Sequence, residues 1–204
     1  MKVTKEMHDK ELQAQYGQFR TIVALNSRKW GLNLMNSLVR LTKGQKVKEA
    51  INETHHVSSN HTKGLKIRTR VFRPKGTSKE ILPAMIYFHG GGYMMGIPEM
   101  ANVFYEDVLK RRKVAIFSPD YRLSPKDPFP AGFNDCYDVL LWMRDNAKEL
   151  NIDPNNIIIA GHSAGGGMAA AITLKVRDTK IIKPSFQMPI YPMLDHRMIT
   201  GSSK

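Results

Sequence analysis

The sequence predicts an α/β fold in which a mostly parallel sheet is covered by helices on both faces. Two observations carry this prediction. Short apolar runs that are typical of buried parallel strands recur along the chain, and helical patterns separate these runs. The length of 204 residues fits one domain with a small appendage. Hydrophobic residues make up 42% of the chain and charged residues 24%, which excludes a disordered or collagen-like protein.

Roughly the first fifty residues are predicted to be helical, because apolar residues recur there every three or four positions. One predicted helical face contains Leu12, Tyr16, Phe19, Val23 and Ser27, and a second contains Trp30, Leu34, Leu38 and Leu41. The second pattern stops near Gly44, as helices often do at a glycine. Residues 44–63 are polar and are predicted to form a loop.

Strands then alternate with helices. The predicted strands cover residues 65–72, 84–88, 114–117, 157–160 and 186–191, and the predicted helices cover residues 101–112, 130–150 and 165–177. The first of these strands alternates apolar and basic residues, as a half-buried or edge strand does, whereas the others are largely apolar. This alternation of strands and helices is the pattern of a parallel sheet with helical crossovers.

The positive charge is unevenly distributed. The chain has 31 Lys and Arg residues against 18 Asp and Glu residues, which gives a formal net charge of +13. Residues 1–75 carry 16 basic and 5 acidic side chains, whereas residues 76–204 carry 15 and 13. This distribution fits binding to nucleic acid or an anionic membrane surface, and it also fits a solvated Lys-rich surface. We favour the solvated surface and expect no nucleic-acid partner, because the strongest chemical motifs lie elsewhere.

The sequence also bears on location and cofactors. No run of about 18 apolar residues occurs, so we expect no transmembrane segment. The first residues lead into polar sequence without the apolar core of a secretory signal. The single cysteine, Cys136, cannot form an internal disulfide, which fits a reducing compartment, and we predict a cytoplasmic protein. The His and Cys spacings match no metal-binding pattern, so we expect no metal or cofactor.

The pentapeptide Gly-His-Ser-Ala-Gly at residues 161–165 directly follows a predicted strand and directly precedes a helix of small residues. In this setting the G-x-S-x-G pattern is typical of a nucleophile elbow, a sharp turn from which Ser163 projects at the carboxyl edge of the sheet. Side chains at Gly161 and Gly165 would collide with the strand and the helix. The helix start at Ala164 offers backbone N–H groups to a developing oxyanion. The alternative is a chance glycine-rich turn.

A second motif, His89-Gly90-Gly91-Gly92, directly follows another predicted strand. Successive glycines let backbone N–H groups approach a ligand without obstruction by side chains. Such a loop supplies oxyanion-hole donors in esterases. The alternative is a phosphate-binding loop, which the sequence favours less because neither Gly-Lys-Ser/Thr nor the G-x-G-x-x-G spacing is present.

These motifs occur together with Asp-Tyr-Arg-Leu-Ser-Pro at residues 120–125, Pro-Phe-Pro-Ala at residues 128–131 and Tyr-Pro-Met-Leu-Asp at residues 191–195. In this order they resemble the hormone-sensitive-lipase-like branch of the α/β-hydrolases, the fold-3 carboxylesterases. The resemblance covers about residues 57–200. It implies an N-terminal helical cap over residues 1–55 and an α/β-hydrolase core over residues 56–204.

The resemblance also implies roles for individual residues. Ser163 is the expected nucleophile, and the backbone N–H groups of Gly91, Gly92 and Ala164 form the expected oxyanion hole. The supporting residues are His89, which orients the loop, and Gly90, Gly161 and Gly165. Asp120 and Arg122 are expected to be structural. The implied substrate is a small acyl ester.

The sequence departs from the family pattern at two places. Many family members carry an acidic residue immediately before the serine, where this chain has His162. We expect His162 to be a packed or hydrogen-bonded residue rather than the base, because adjacent residues in a tight turn point apart. The order of the catalytic triad in this fold is Ser, Asp or Glu, His. After Ser163 the only candidates are Asp178, Asp195 and His196, and none of them fits the family's acid or base.

The resemblance therefore implies that the last two strands, with the acid and the histidine, are missing after residue 204. Three hypotheses follow: a serine carboxylesterase, a truncated or inactive member of that family, and a basic module that binds an anionic surface. We also expect strand 186–191 to present an unpaired apolar edge through which chains associate.

Overall fold

The computed structural model describes residues 4–7, 9–17, 21, 28–195 and 197. The chain divides into two compact units, one formed by Val39–Leu194 and the other by Met1–Leu38 together with Asp195–Lys204. The predicted helical positions Phe19, Val23 and Ser27 lie outside the described residues.

Helices precede the first strand. A 3₁₀ turn at Lys5–Met7 and the short helix α1 at Lys10–Gln13 are followed by α2 at Lys29–Arg40. The second predicted helical pattern is therefore confirmed. Its apolar residues Trp30, Leu34 and Leu38 are exposed to solvent, whereas Leu32 on the opposite side is buried.

The larger unit contains a six-stranded sheet in the order β1-β2-β4-β3-β5-β6. The strands are β1 (Ala50–Ser58), β2 (Lys66–Pro74), β3 (Leu82–Phe88), β4 (Ala115–Pro119), β5 (Ile152–His162) and β6 (Phe186–Ile190). β1, β2 and β4 pair antiparallel, and β4, β3, β5 and β6 pair parallel. The five predicted strands are confirmed, and β6 lies at an edge of the described sheet with Phe186 exposed.

One prediction was wrong. Ala50–Ser58, within the predicted loop at 44–63, forms β1 and pairs along its whole length with β2. Only Ala50 and Val57 of this edge strand are buried. The strand therefore does not need the apolar alternation of a half-buried strand, and its sequence does not show it. Pairing with β2 rather than local pattern determines its conformation. β1 lies across the boundary predicted at residue 55, and the predicted domain division itself stays a prediction.

Helices cover both faces of the sheet, as predicted. They are α3 (Asn102–Arg111), α4 (Ala131–Asp145) and α5 (Ala164–Thr179). Alternate residues of β3 enter two different apolar clusters: Ile86 packs in a cluster with residues of α4 and α5, and Tyr87 packs in a cluster with residues of α3. Because successive strand residues point to opposite faces, the apolar run of β3 is explained by burial on both sides.

The described part of the chain contains no helix that combines the length and the apolar character needed to cross a membrane. Cys136 is buried in α4 as a free cysteine. Burial raises the pKa of its thiol well above the ordinary value.

Candidate active site

Ser163 is the single residue between β5 and α5. Its backbone has φ 55° and ψ −119°, a conformation that L residues rarely adopt and that costs about 1–3 kcal/mol. Hydrogen bonds hold it there. The Ser163 N–H donates to the Ile190 carbonyl at 3.0 Å, and the Ser163 carbonyl accepts from the N–H groups of Gly167 and Met193, each at 3.0 Å. The turn is thus fixed by β6, by α5 and by the segment after β6.

The flanking glycines are required because the backbone of β3 touches this turn. A Cβ atom at Gly165 would overlap the carbonyl group of Phe88, the last residue of β3. A Cβ atom at Gly161 would overlap the carbonyl group of Gly165 and lie 2.8 Å from the Phe88 oxygen. Neither glycine has room for a side chain between the strand and the helix, as the sequence predicted.

Two more glycines let the segment after β6 lie on the first turn of α5. A Cβ atom at Gly166 would lie 3.0 Å from the Ile190 oxygen and 3.0 Å from the Pro192 Cα atom. A Cβ atom at Gly167 would overlap the Met193 carbonyl oxygen and the Tyr93 hydroxyl. Gly165, Gly166 and Gly167 therefore allow β3, the segment after β6 and the Tyr93 side chain to pack against the start of α5.

The glycine loop follows β3 directly. Gly91 and Gly92 have φ values of 126° and 61°, which glycine adopts without the steric cost of a Cβ atom. The Gly91 carbonyl accepts hydrogen bonds from the N–H groups of Met94 and Met95, both at 3.0 Å, which closes the loop into a turn. A Cβ atom at Gly91 would overlap the Met95 carbonyl group. These bonds fix the backbone of the two glycines that were expected to face an oxyanion.

His162 joins the loop to the serine turn. The Gly90 N–H donates to His162 Nε2 at 3.1 Å, and His162 Nδ1 lies 2.9 Å from the Tyr87 hydroxyl. Because Nε2 accepts a hydrogen bond, the ring proton is assigned to Nδ1, which donates to Tyr87. Burial lowers the pKa of His162 and favours this neutral form. The expectation that His162 is a hydrogen-bonded residue is confirmed.

His89 anchors the start of the loop. Its ring is fully buried and stacks on Tyr121, with 4.2 Å between the ring centroids. His89 Nδ1 donates to the Gly90 carbonyl at 2.8 Å, and the Tyr121 hydroxyl donates to the His89 carbonyl at 2.7 Å. Burial lowers the pKa of His89 to about 4, so the ring is neutral at pH 7. Tyr121 lies in the Asp-Tyr-Arg motif, but no sequence pattern predicts its contact with His89.

A buried group of charges lies next to this anchor. Arg68 forms ion pairs with Glu99 and with Asp120, the latter at 2.9 Å, and Arg70 Nε lies 3.5 Å from Glu99. Glu99 is 3% exposed and also accepts the Gly44 N–H at 2.8 Å. Asp120 follows β4 and therefore ties this sheet edge to β2. Glu99 could not be predicted from the sequence, because no motif distinguishes this acid from a surface acid.

Arg122 connects the segment after β4 to α4. Its Nε and Nη2 atoms donate to the Asp135 carboxylate at 2.8–3.1 Å, and its backbone N–H donates to the same carboxylate at 2.9 Å. The Asp135 side chain is almost fully buried. These hydrogen bonds raise the pKa of the Arg122 guanidinium. These contacts of Arg122 are all with another side chain of the fold, as expected for a structural residue.

The described acids that follow Ser163 are engaged in local ion pairs. Asp178 lies in the last turn of α5, about 21 Å along the helix from its start, and pairs with Arg177 on the surface. Asp195 pairs with Arg197. His196 lies outside the described residues.

The histidines before the glycine loop are also distant or engaged. His55 and His56 belong to β1, which three strands separate from β5, a distance of about 19 Å. His61 lies in the loop after β1, where its Nδ1 atom is 2.8 Å from the Asp138 carboxylate. His8 lies outside the described residues. In the described part of the chain no group of three or more His, Cys, Asp or Glu side chains could hold a metal ion.

Comparison with known proteins agrees with this geometry. A family model for the alpha/beta hydrolase fold matches residues 85–204, which is more than half of the chain. The chain belongs to the α/β-hydrolase fold family. This membership confirms the resemblance and the fold class that the sequence motifs predicted.

Proteins similar to this α/β hydrolase are named as a hydrolase, a deacetylase or an esterase. The chain is 38% identical over 140 residues to an AB hydrolase superfamily protein of Schizosaccharomyces pombe, covering 67% of this chain and 41% of the relative. It is 35% identical over 185 residues to arylacetamide deacetylase of Oryctolagus cuniculus, covering 85% and 45%. The structure of a bacterial heroin esterase superposes with a TM-score of 0.77 at 29% identity, covering 89% and 56%. The chain thus spans less than half the length of these two curated relatives.

Proposed function

We propose that this chain is the nucleophile-bearing part of a serine carboxylesterase, in which Ser163 forms an acyl-enzyme with a small ester. The observation that carries the proposal is the backbone of Ser163, held at a positive φ between β5 and α5 and bonded through His162 to the glycine loop. Related proteins named arylesterase, carboxylesterase and arylacetamide deacetylase support it.

In the proposed reaction Ser163 Oγ attacks the carbonyl carbon of the ester, and its proton passes to a general base. Negative charge develops on the carbonyl oxygen, where the N–H groups of Gly91, Gly92 and Ala164 stabilise it. The positive end of the α5 dipole adds to this stabilisation at Ala164. The C–O bond then breaks, the leaving alcohol takes up the proton, and water later releases the acid from Ser163.

The base is the group that the described residues do not supply. His162 is hydrogen-bonded to Tyr87 and Gly90, and His89 is buried with its Nδ1 on the Gly90 carbonyl. The low pKa of each ring disfavours proton uptake at pH 7. Both side chains therefore position the loop, and we assign the acceptor of the Ser163 proton to neither.

A second candidate function follows from the lack of an assigned general base. The described acids after Ser163 form local ion pairs and His61 contacts Asp138, which favours a family member that binds esters or reacts with them once, without turnover. The two candidates differ in a measurable quantity, because losing a triad member lowers turnover by several powers of ten while the oxyanion hole still accelerates the reaction.

Hydrolysis of p-nitrophenyl acetate and butyrate by the purified chain tests the proposal. Ser163→Ala removes the nucleophile, and Ser185→Ala, at an exposed serine before β6, is the matched control. We expect release of nitrophenol by the unchanged chain and by Ser185→Ala, and none above background by Ser163→Ala. Equal release by all three proteins would contradict the assignment of Ser163. A single burst without turnover would favour the second candidate.

A further inference from the structure

The side chain of Tyr93 joins the glycine loop to the start of α5. Tyr93 directly follows Gly92, one of the proposed oxyanion donors, and its hydroxyl lies against Gly167 in the first turn of the helix. The Gly167 N–H donates to the Ser163 carbonyl at 3.0 Å, and Ala164, another proposed donor, lies in the same turn. One side chain therefore spans the gap between the two groups of proposed donors.

The backbone of Tyr93 is held in an unusual conformation. Its φ is 61°, in the left-handed region that bulky aromatic residues rarely occupy. The Tyr93 carbonyl accepts the Ser124 N–H at 2.9 Å, so the segment after β4 helps to hold this conformation. Strain of this kind persists only where the surrounding structure imposes it, and such positions cluster at functional sites. A residue that only filled space in the core would not require it.

The Tyr93 side chain is suited to hold two groups at a fixed distance. Its ring is half-buried and packs against the apolar cluster that contains Phe88 and residues of α5. A tyrosine has only two side-chain torsions, so little freedom remains once the ring is packed. Burial raises the pKa of Tyr93, so the hydroxyl is protonated at pH 7 and is not the missing general base. Its contribution is therefore to position other groups.

Stabilisation of an oxyanion depends strongly on distance, because the donors must lie about 2.7–3.1 Å from the position that the charged oxygen will occupy. A displacement of about 1 Å in such a site can lower the rate about a hundredfold. We propose that Tyr93 is a positioning residue that sets the separation between the glycine-loop N–H groups and the Ala164 N–H. The proposal rests on the function proposed for Ser163. It predicts a loss that is specific to reactions in which an oxygen becomes negatively charged.

Three variants separate positioning from packing. Tyr93→Leu removes the side chain that reaches α5, whereas Tyr93→Phe keeps the ring and is the conservative replacement. Tyr137→Leu, at a buried tyrosine of α4 in the same apolar cluster, is the matched control for lost packing. Urea unfolding verifies that each variant is folded and measures its loss of stability.

Acylation is followed as the nitrophenol burst from p-nitrophenyl acetate and from its thionoester, in which sulfur replaces the carbonyl oxygen. Sulfur is larger and accepts hydrogen bonds more weakly, so the thionoester depends less on the oxyanion hole. We expect Tyr93→Leu to slow acylation by the oxygen ester about tenfold to a hundredfold, and by the thionoester at most about threefold. Tyr93→Phe should retain most of the oxygen-ester rate. Tyr137→Leu should leave the ratio of the two rates unchanged.

Hydrogen exchange separates this proposal from the function on which it rests. The N–H groups of Met94 and Met95 close the glycine loop, and we expect them to exchange about tenfold faster in Tyr93→Leu than in Tyr137→Leu. This difference without a burst in the unchanged chain would contradict the function of Ser163 and still support the positioning of the loop by Tyr93. Equal slowing with both esters, or equal exchange in the two leucine variants, would overturn the positioning role.

Discussion

The imidazole of His162 accepts the hydrogen bond of the Gly90 N–H at 3.1 Å, so the residue before Ser163 also fixes the glycine loop. There is no room for a side chain at Gly90, because a Cβ atom there would lie 2.7 Å from His162 Nε2. Tyr87 holds the other ring nitrogen at 2.9 Å. The serine turn and the loop that is proposed to face the oxyanion are therefore positioned by one side chain.

Replacing His162 tests this coupling. His162→Phe keeps an aromatic ring but loses both hydrogen bonds, and we expect acylation of Ser163 to slow about tenfold to a hundredfold and the free energy of unfolding to fall by about 1–2 kcal/mol. His162→Gln retains a side-chain acceptor and should recover part of the acylation rate. Stopped-flow measurement of the nitrophenol burst gives the rates. An unchanged rate in His162→Phe would refute the coupling.

His89 should make stability depend on pH. The unfolded chain binds a proton on this histidine near pH 6.5, whereas burial lowers the pKa in the folded chain to about 4. The stabilisation is therefore complete above pH 6.5 and is lost as the pH falls toward 4. The decrease amounts to about 3 kcal/mol of unfolding free energy. Urea unfolding at a series of pH values measures it.

Matched variants identify the residue responsible for this pH dependence. His89→Asn should flatten the dependence between pH 6.5 and pH 4, whereas His56→Gln, at an exposed position of β1, should leave it unchanged. If His89→Asn does not fold, the imidazole signals of the unchanged chain in NMR provide the answer. A His89 ring that titrates near pH 6.5 in the folded chain would contradict the prediction.

Gly165 has no room for a side chain. In Gly165→Ala the new methyl group meets the Phe88 carbonyl, and neither backbone can move without breaking the β3–β5 pairing or the start of α5. We expect a loss of about 3 kcal/mol or more in stability. Gly17→Ala, where nothing lies within 4 Å of the new Cβ atom, is the control. Equal melting temperatures for the two variants would show that the turn is not as tight as described.

The Arg122–Asp135 pair should contribute far more than a surface ion pair. Arg122→Lys cannot reproduce the two-nitrogen contact and leaves the buried Asp135 carboxylate partly unpaired. We expect a loss of about 3 kcal/mol. Arg177→Lys, in an exposed pair with Asp178, should cost less than about 0.5 kcal/mol. Chemical denaturation measures both, and similar losses in the two variants would contradict the prediction.

The sequence predicted the part of the fold that depends on local pattern. The apolar runs of β3 and β5 are buried on both faces of the sheet, so almost every residue in them reports burial. The glycines at 161 and 165 report the contact with Phe88, because no other residue fits there. The helix pattern at Trp30, Leu34 and Leu38 was also correct, although its apolar face is exposed.

Features that depend on distant partners were not predictable. β1 is a strand because it pairs with β2, and its own residues show little apolar alternation. Glu99 is buried because Arg68, 31 positions earlier, neutralises it. The stacking of His89 on Tyr121 joins residues 32 positions apart. In each case the determining contact is made only in the folded chain, and a single sequence carries no local signal of it.

Labelling with a fluorophosphonate tests the central claim most directly, because it reports the reactivity of Ser163 without requiring turnover. The chain is treated with the probe, digested, and analysed by mass spectrometry for the modified peptide. We predict one covalent label, on Ser163, that forms more slowly in His162→Phe and is absent in Ser163→Ala. A folded chain that takes up no label, or takes up equal label in Ser163→Ala, would contradict the assignment of Ser163 as the nucleophile.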